Sequence, residues 1–345
     1  MKDSRIEWTD HTFNPWIGCT KVSPGCANCY AEALMDTRYG RAKWGPGNPR
    51  HRTSAENWRE PLKWNRDAAK ANAVAYGSTP IPPIRPRVFC ASLADWLDEE
   101  VPDLWLADLL RLIFETRSLT WMLLTKRPQN WKARLQAAGK AAYVTGNCTV
   151  DFGFWLQNWI TGRAVPDNVW IGTSVEDQER ADERIPALLD IPARIRFLSC
   201  EPLLGSITLT ECAPYIMDGD TSNPGVINAF NALCHHPKTC ISIPDAKASS
   251  QGINWVICGG ESGPHARPIL LAWARSLRDQ CQVAGCAFFF KQWGEWVPST
   301  QSERCVFPAM HREVQGKSVF KYGKKAAGRQ LDGRTWDDFP KVEAT

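Results

Sequence analysis

Short apolar runs alternate with amphipathic stretches along most of this chain. Arg87–Ser92, Leu119–Thr125, Asn168–Ser174, Arg194–Ser199, Asn254–Cys258 and Cys286–Phe290 are continuous apolar segments rich in β-branched and aromatic residues, and they read as strands. Ile6–Trp8 is expected to add a short first strand. Between these runs, Leu104–Phe114, Asn130–Ala137, Gln178–Leu189 and Leu270–Ala284 carry apolar residues at helical spacing. Strands apolar on both faces and separated by helices imply a parallel sheet covered on both sides. Six or seven such units predict an α/β fold, a complete or partial (β/α) TIM-like barrel of parallel strands with insertions.

Three stretches interrupt the alternation: residues 39–86, rich in Arg, Trp and Pro; an aromatic stretch at 140–166; and a polar one at 206–252. The reading is one barrel domain over 1–296, with 297–345 as a basic C-terminal extension. A length of 345 residues suffices for such a barrel. The net charge of +4 permits a nucleic-acid or phosphorylated partner without demanding one. No apolar run approaches the roughly 20 residues of a membrane span, and the N-terminus lacks a signal-peptide core, so a soluble cytoplasmic protein is expected.

Composition adds 13 cysteines and 17 tryptophans. Cys90, Cys148, Cys200, Cys258, Cys281 and Cys286 lie in or beside apolar segments and are expected to be small buried hydrophobes. Trp58, Trp64, Trp96, Trp105, Trp131, Trp155, Trp159 and Trp273 fall mainly in helix-like stretches and are expected in the core.

In parallel α/β barrels the chemistry sits at the carboxyl ends of the strands. Each strand here runs into polar residues: Ser92 and Asp95, then Lys126, then Ser174 and Glu176, then Glu201, then Glu261, and last Lys291-Gln292. Glu201, Glu261 and Lys126 are the candidate catalytic groups.

The first strand leads instead into Gly18-Cys-Thr-Lys-Val-Ser-Pro-Gly-Cys-Ala-Asn-Cys-Tyr-Ala-Glu32. Three cysteines on one Pro/Gly turn are too dense for packing alone. Cys19, Cys26 and Cys29 suit a [4Fe–4S] cluster whose fourth iron stays open for S-adenosylmethionine. In the alternative, a structural zinc takes a fourth ligand from His11 or residues 234–240. A Cys26-x-x-Cys29 redox dithiol and plain packing rank below both. Cys212, Cys234, His235, His236 and Cys240 form a second Cys/His group, loosely spaced for zinc or simply carried on a surface loop.

The run Asn14-Pro-Trp-Ile-Gly-Cys through Glu32 resembles the signature of a phage- and prophage-borne three-cysteine protein family of unknown function. Leu124-Thr-Lys-Arg-Pro128, Glu201-Pro-Leu-Leu-Gly205, Gly259-Gly-Glu-Ser-Gly-Pro264, Phe290-Lys-Gln-Trp-Gly294 and Leu331-Asp-Gly-Arg-Thr-Trp336 are similar to it as well. That family in turn resembles a divergent branch of the radical S-adenosylmethionine barrels, which implies a [4Fe–4S] cluster on the three cysteines. The spacing here is C-x6-C-x2-C, where the common radical motif has C-x3-C-x2-C. The chain's Gly-Gly-Glu follows the sixth predicted strand, whereas that superfamily carries it after the second. Ser92 and Asp95 stand in the second-strand place, and Ser174 and Glu176 are placed to meet the ribose of S-adenosylmethionine.

Lys43, Arg50, His51 and Arg52 after the cysteine loop, and Lys317, Lys321, Lys324, Lys325 and Arg329 in the tail, read as solvated faces by default. Flanking a barrel mouth, they would favour a nucleotide, nucleic acid or other phosphorylated substrate. The expected function is a radical S-adenosylmethionine enzyme served by a reductant protein, in contact with another phage-encoded protein. The alternative is a zinc-stabilised, non-catalytic barrel that binds nucleic acid or protein.

Overall fold

The computed structural model of the chain describes residues 2–75, 84–209, 252–301 and 310–341. Seven parallel strands form one curled sheet: β1 (His11–Thr12), β4 (Arg87–Cys90), β5 (Thr120–Thr125), β6 (Val169–Ser174), β7 (Ile195–Cys200), β8 (Trp255–Gly259) and β9 (Ala287–Gln292), in that spatial order. Between β1 and β4 a two-stranded ribbon pairs β2 (Trp16–Ile17) with β3 (His51–Arg52). Helices α3 (Asp103–Glu115), α4 (Trp131–Val144), α6 (Gln178–Leu189) and α7 (Leu271–Ala284) cover the convex side, giving a half-barrel. The six strands predicted from Arg87 onward match these to within a few residues, as do three of the four predicted helices.

Side chains alternate across each strand, so the apolar runs split into two cores. Val88, Trp121, Leu123, Ile171, Leu198, Val256 and Phe288 pack outward against the helices. Phe89, Met122, Trp170, Phe197, Trp255, Ile257 and Phe289 fill the concave face. Trp255 stands at its centre, with Trp8, Trp170, Phe197, Phe289 and Phe339 around it at ring separations of 5.0–6.3 Å. Gly172 holds the inward position beside Phe197, and a β-carbon there would overlap that ring.

Ile6–Trp8 is a turn and no strand; the first strand is His11–Thr12. The Thr9 N–H bonds back to the Ile6 carbonyl at 3.2 Å, and the turn sends the Trp8 ring into the concave face, 4.7 Å from that of Phe89. Burying that indole outweighs pairing three residues at a sheet edge.

Helix α4 runs to Val144, past the expected Ala137 and through Gly139, because Ala138 and Ala142 pack inward. The aromatic stretch at 140–166 is the end of α4 followed by α5 (Val150–Ile160), which starts on a Thr149 cap and buries Phe152, Leu156 and Trp159. Residues 39–86 contain α2 (Ala55–Ala75). Cys212, Cys234, His235, His236 and Cys240 lie outside the described residues.

The C-terminal part folds onto the barrel. β10 (Trp296–Pro298), β11 (Met310–Val314) and β12 (Lys317–Lys321) make an antiparallel sheet in the order β10-β12-β11. Trp336 and Phe339 join the two cores. Cys90, Cys200, Cys258, Cys281 and Cys286 are buried as expected, and Cys148 is half-buried. The eight tryptophans expected in the core are buried or packed against it. No helix among the described residues is long and apolar enough to cross a membrane.

Because the Phe197 ring occupies the space above Gly172, Gly172→Ala is expected to lower stability by about 1–3 kcal/mol. Urea denaturation measures this, and an unchanged midpoint would refute the packing described.

Candidate functional site

The period of two that builds the concave face also builds its upper end. Going up each strand, Met122 and Leu124 are followed by Lys126, Trp170 and Gly172 by Ser174, Phe197 and Ser199 by Glu201, and Phe289 by Lys291. An apolar wall therefore turns polar where the strands end. Above it lies a pocket of about 830 Å³ whose lining includes Cys19, Cys26, Cys29, Ser92, Asp95, Lys126, Ser174, Glu201 and Glu261. Of the ten residues expected at the site only Glu176 is missing from the lining, and it sits directly behind the cysteine loop.

That loop leaves the β2–β3 ribbon at Gly18, whose φ of +113° suits glycine and whose backbone lies against the Arg50 side chain. Pro24–Cys26 form a 3-10 turn, and Cys29 precedes the helical turn Tyr30–Glu32. The three thiols are half-buried and free of disulfides.

Buried charged groups from three strand ends fasten the loop. After β4, Asp95 accepts from the Thr125 hydroxyl (2.7 Å), the Leu97 N–H (3.0 Å), the Lys126 N–H (2.8 Å) and Arg127 Nη1 (3.0 Å). Arg127 in turn donates to the Thr20 carbonyl at 2.8 Å and, through Nη1, to Cys19 Sγ at 3.7 Å. After β6, Glu176 Oε1 accepts from the Gly25 N–H at 3.1 Å while Oε2 pairs with Arg184 at 3.1 Å. After β8, Glu261 accepts from Asn28 Nδ2 at 3.0 Å and from three N–H groups of Arg267. Arg267 Nη1 then reaches the Pro24 carbonyl at 3.0 Å. Arg50, fully buried against Asp98 at 2.8 Å, donates to the Thr20 hydroxyl.

Two of the expected cofactor-binding carboxylates, Asp95 and Glu176, and one expected catalytic carboxylate, Glu261, are thus already engaged by the protein. Ser92 is engaged too, since Asn14 Oδ1 takes its N–H at 2.8 Å and Asn14 Nδ2 donates to its hydroxyl at 3.0 Å. What faces the pocket without bracing the cysteine loop is a smaller set. Lys126 makes no hydrogen bond or ion pair through its ammonium among the described residues, and the Ser174 hydroxyl likewise has no protein partner there. Glu201 pairs with Lys291 at 3.0 Å, both largely buried, with the Ser199 hydroxyl 3.4 Å from the carboxylate. From the sequence, Lys291 and Arg127 stand among the polar strand-end residues without a role of their own, and Arg267 and Asn28 are not expected at the site at all. Lys291 was detectable as the next inward position after Phe289; Arg267 gave no signal, because its role depends on a loop more than 230 residues away.

Charge and burial act together on these groups. Burial, and then the nearby Asp95 charge, push the Cys19 thiol up to about 12, against the opposing pull of Arg127. Burial likewise raises Cys29. Burial opposes ionisation of Glu176, but Lys126 and Arg184 outweigh it and hold the carboxyl below its ordinary value. Burial opposes Glu261 in the same way, and its bonds from Arg267 prevail.

Of the basic residues expected at the mouth, Arg50 is buried, Lys43 pairs with Asp36, and Arg52 pairs with Asp108 while stacking 4.2 Å over Trp58. In the tail, Lys321 donates to the Pro264 carbonyl at 2.9 Å and Arg329 pairs with Asp337. Lys324 lines the pocket with Arg5, and neither makes an ion pair among the described residues.

Among the described residues no three His, Cys, Asp or Glu side chains converge on a point where a single metal ion would sit. His11, weighed as a fourth zinc ligand, stacks on Trp64 at 4.5 Å and accepts the Asp3 N–H. A four-iron cluster spreads three thiolates over three irons and needs no such convergence. The donor set fits that group: three thiols of one turn on one pocket, with a guanidinium N–H directed at one sulfur.

Glu261 provides a pH test of the fastening. Its pKa is depressed in the folded chain, so its contribution is present above the ordinary value of 4.5 and lost as pH falls through the depressed one. The Tm gap between wild type and Glu261→Gln is expected to be widest at neutral pH and to close under acid. A gap independent of pH would refute this.

Searches of curated proteins and of solved structures return no match. The family model described as "Protein of unknown function (DUF5131)" matches residues 3–340. The chain belongs to the DUF5131 family.

Proposed function

We propose that this pocket is the active site of an iron–sulfur enzyme of the radical S-adenosylmethionine type, acting on a nucleotide, nucleic acid or other phosphorylated substrate. The observation that carries the reading is the placement of Cys19, Cys26 and Cys29 on one braced turn, facing one pocket at the carboxyl end of a parallel half-barrel. The likeness of its motifs to a phage-borne three-cysteine family supports it, and the proposal includes a cytoplasmic setting and an external reductant protein as electron source. When bound on the three cysteines, a [4Fe–4S] cluster supplies the electron that cleaves S-adenosylmethionine.

The chain's own residues do the rest. Ile6, Trp8, Phe89, Leu124 and Met35 line the pocket and keep water from its apolar side. A volume of about 830 Å³ lies within the roughly 300–1,000 Å³ typical of ligand pockets. Arg5, Lys126 and Lys324 give it cationic groups suited to phosphate or carboxylate oxygens. Glu201 and Lys291 place an acceptor and a donor side by side on the inner wall, where they orient a substrate's polar edge.

Anaerobic purification and reconstitution test the reading. Wild type is expected to bind about four irons per chain, and the Cys19/Cys26/Cys29 triple alanine variant none. With dithionite and S-adenosylmethionine, wild type should release 5′-deoxyadenosine. Colourless protein carrying stoichiometric zinc would overturn the proposal in favour of a zinc-stabilised binding barrel. An intact cluster without 5′-deoxyadenosine would overturn the radical chemistry.

In the reconstituted protein, Glu201→Gln and Lys291→Met should each lower product formation at least tenfold while leaving iron content unchanged. Equal turnover in both variants would remove the pair from the site.

A further inference from the structure

We infer that Arg127 is a redox-tuning residue, a fixed cation that raises the reduction potential of the group held by Cys19; the inference rests on the cluster reading above. Arg127 is 4 % exposed, and its guanidinium is anchored at fixed points: Asp95 Oδ2 at 3.0 Å and the Thr20 carbonyl at 2.8 Å. The nitrogen that meets Asp95 also donates to Cys19 Sγ at 3.7 Å. Asp95 is itself held by Thr125, Leu97 and Lys126, so the guanidinium cannot turn away without breaking a buried network. Such a position goes beyond what holding a loop requires, since the Thr20 contact alone would pin the turn.

Hydrogen bonds to ligating sulfurs and nearby positive charge both favour the reduced, more negative state of an iron–sulfur group. In the couple concerned one electron passes from an external donor, dithionite in the test, to the cluster, whose core charge falls from 2+ to 1+. Cluster gain and donor loss balance, and no proton need move. Asp95 opposes the effect, because its negative charge lies beside the same guanidinium. The two residues are therefore expected to act on the potential in opposite senses, although both belong to one structural network.

The experiment is a potentiometric titration followed by electron paramagnetic resonance on reconstituted wild type, Arg127→Gln and Asp95→Asn. Iron content is read first: wild type without iron would overturn the reading beneath this inference. With the cluster in place, Arg127→Gln should shift the midpoint potential to more negative values and Asp95→Asn to more positive ones. An unmoved potential in Arg127→Gln, or a shift of the same sign in both variants, would overturn the tuning role alone. Should Arg127→Gln fail to retain iron, the sign of the Asp95→Asn shift decides.

Discussion

Four hydrogen bonds converge on the carboxylate of Asp95, and the rest of the site depends on them. They join the loop after β4 to the end of β5 and place Arg127 beneath the cysteine turn. A buried guanidinium deprived of its carboxylate costs about 3–5 kcal/mol, so the contact fixes geometry as well as charge. Arg127 then carries the constraint to Thr20 and Cys19. Glu176 and Glu261 repeat the device from β6 and β8, each linking a strand end to the turn through an arginine or a backbone N–H. A segment with almost no secondary structure is thereby held on a rigid sheet.

The sheet's curvature supplies the other half of the site. The concave face is filled by aromatic rings up to the level of Phe197 and Phe289, and beyond them the same alternation presents Ser174 and Ser199, then Glu201 and Lys291. The floor of the pocket is thus the top of the inner core. Gly172 lets Phe197 lie flat against the sheet, and Trp8 closes the lower side from the N-terminal turn. Packing and chemistry are two levels of one strand pattern.

Strand and helix positions were legible because apolar runs of four to seven residues between helical stretches have few alternative arrangements. The pocket's membership was legible for a related reason. In a parallel sheet all strands end on one side, so the residue after each apolar run must join the others. The cysteines announced themselves by density. The roles of Asp95, Glu176 and Glu261 were not legible: a carboxylate at a strand end reads the same whether it faces a ligand or an arginine. Arg127 and Arg184 arrive from other elements, and Arg267, in the same loop as Glu261, is brought onto it by the folding of that loop.

The linear chain therefore specified its architecture and the ring of residues around one pocket, since both follow from local periodicity and the direction of parallel strands. Tertiary structure settled which of those residues are left out of the bracing of the cysteine loop. Lys126, Ser174 and the Glu201–Lys291 pair remain toward the pocket, while their neighbours are consumed in bracing the cysteine turn. That division depends on distances between segments as far apart as Pro24 and Arg267, and periodicity along a chain carries no information about such distances.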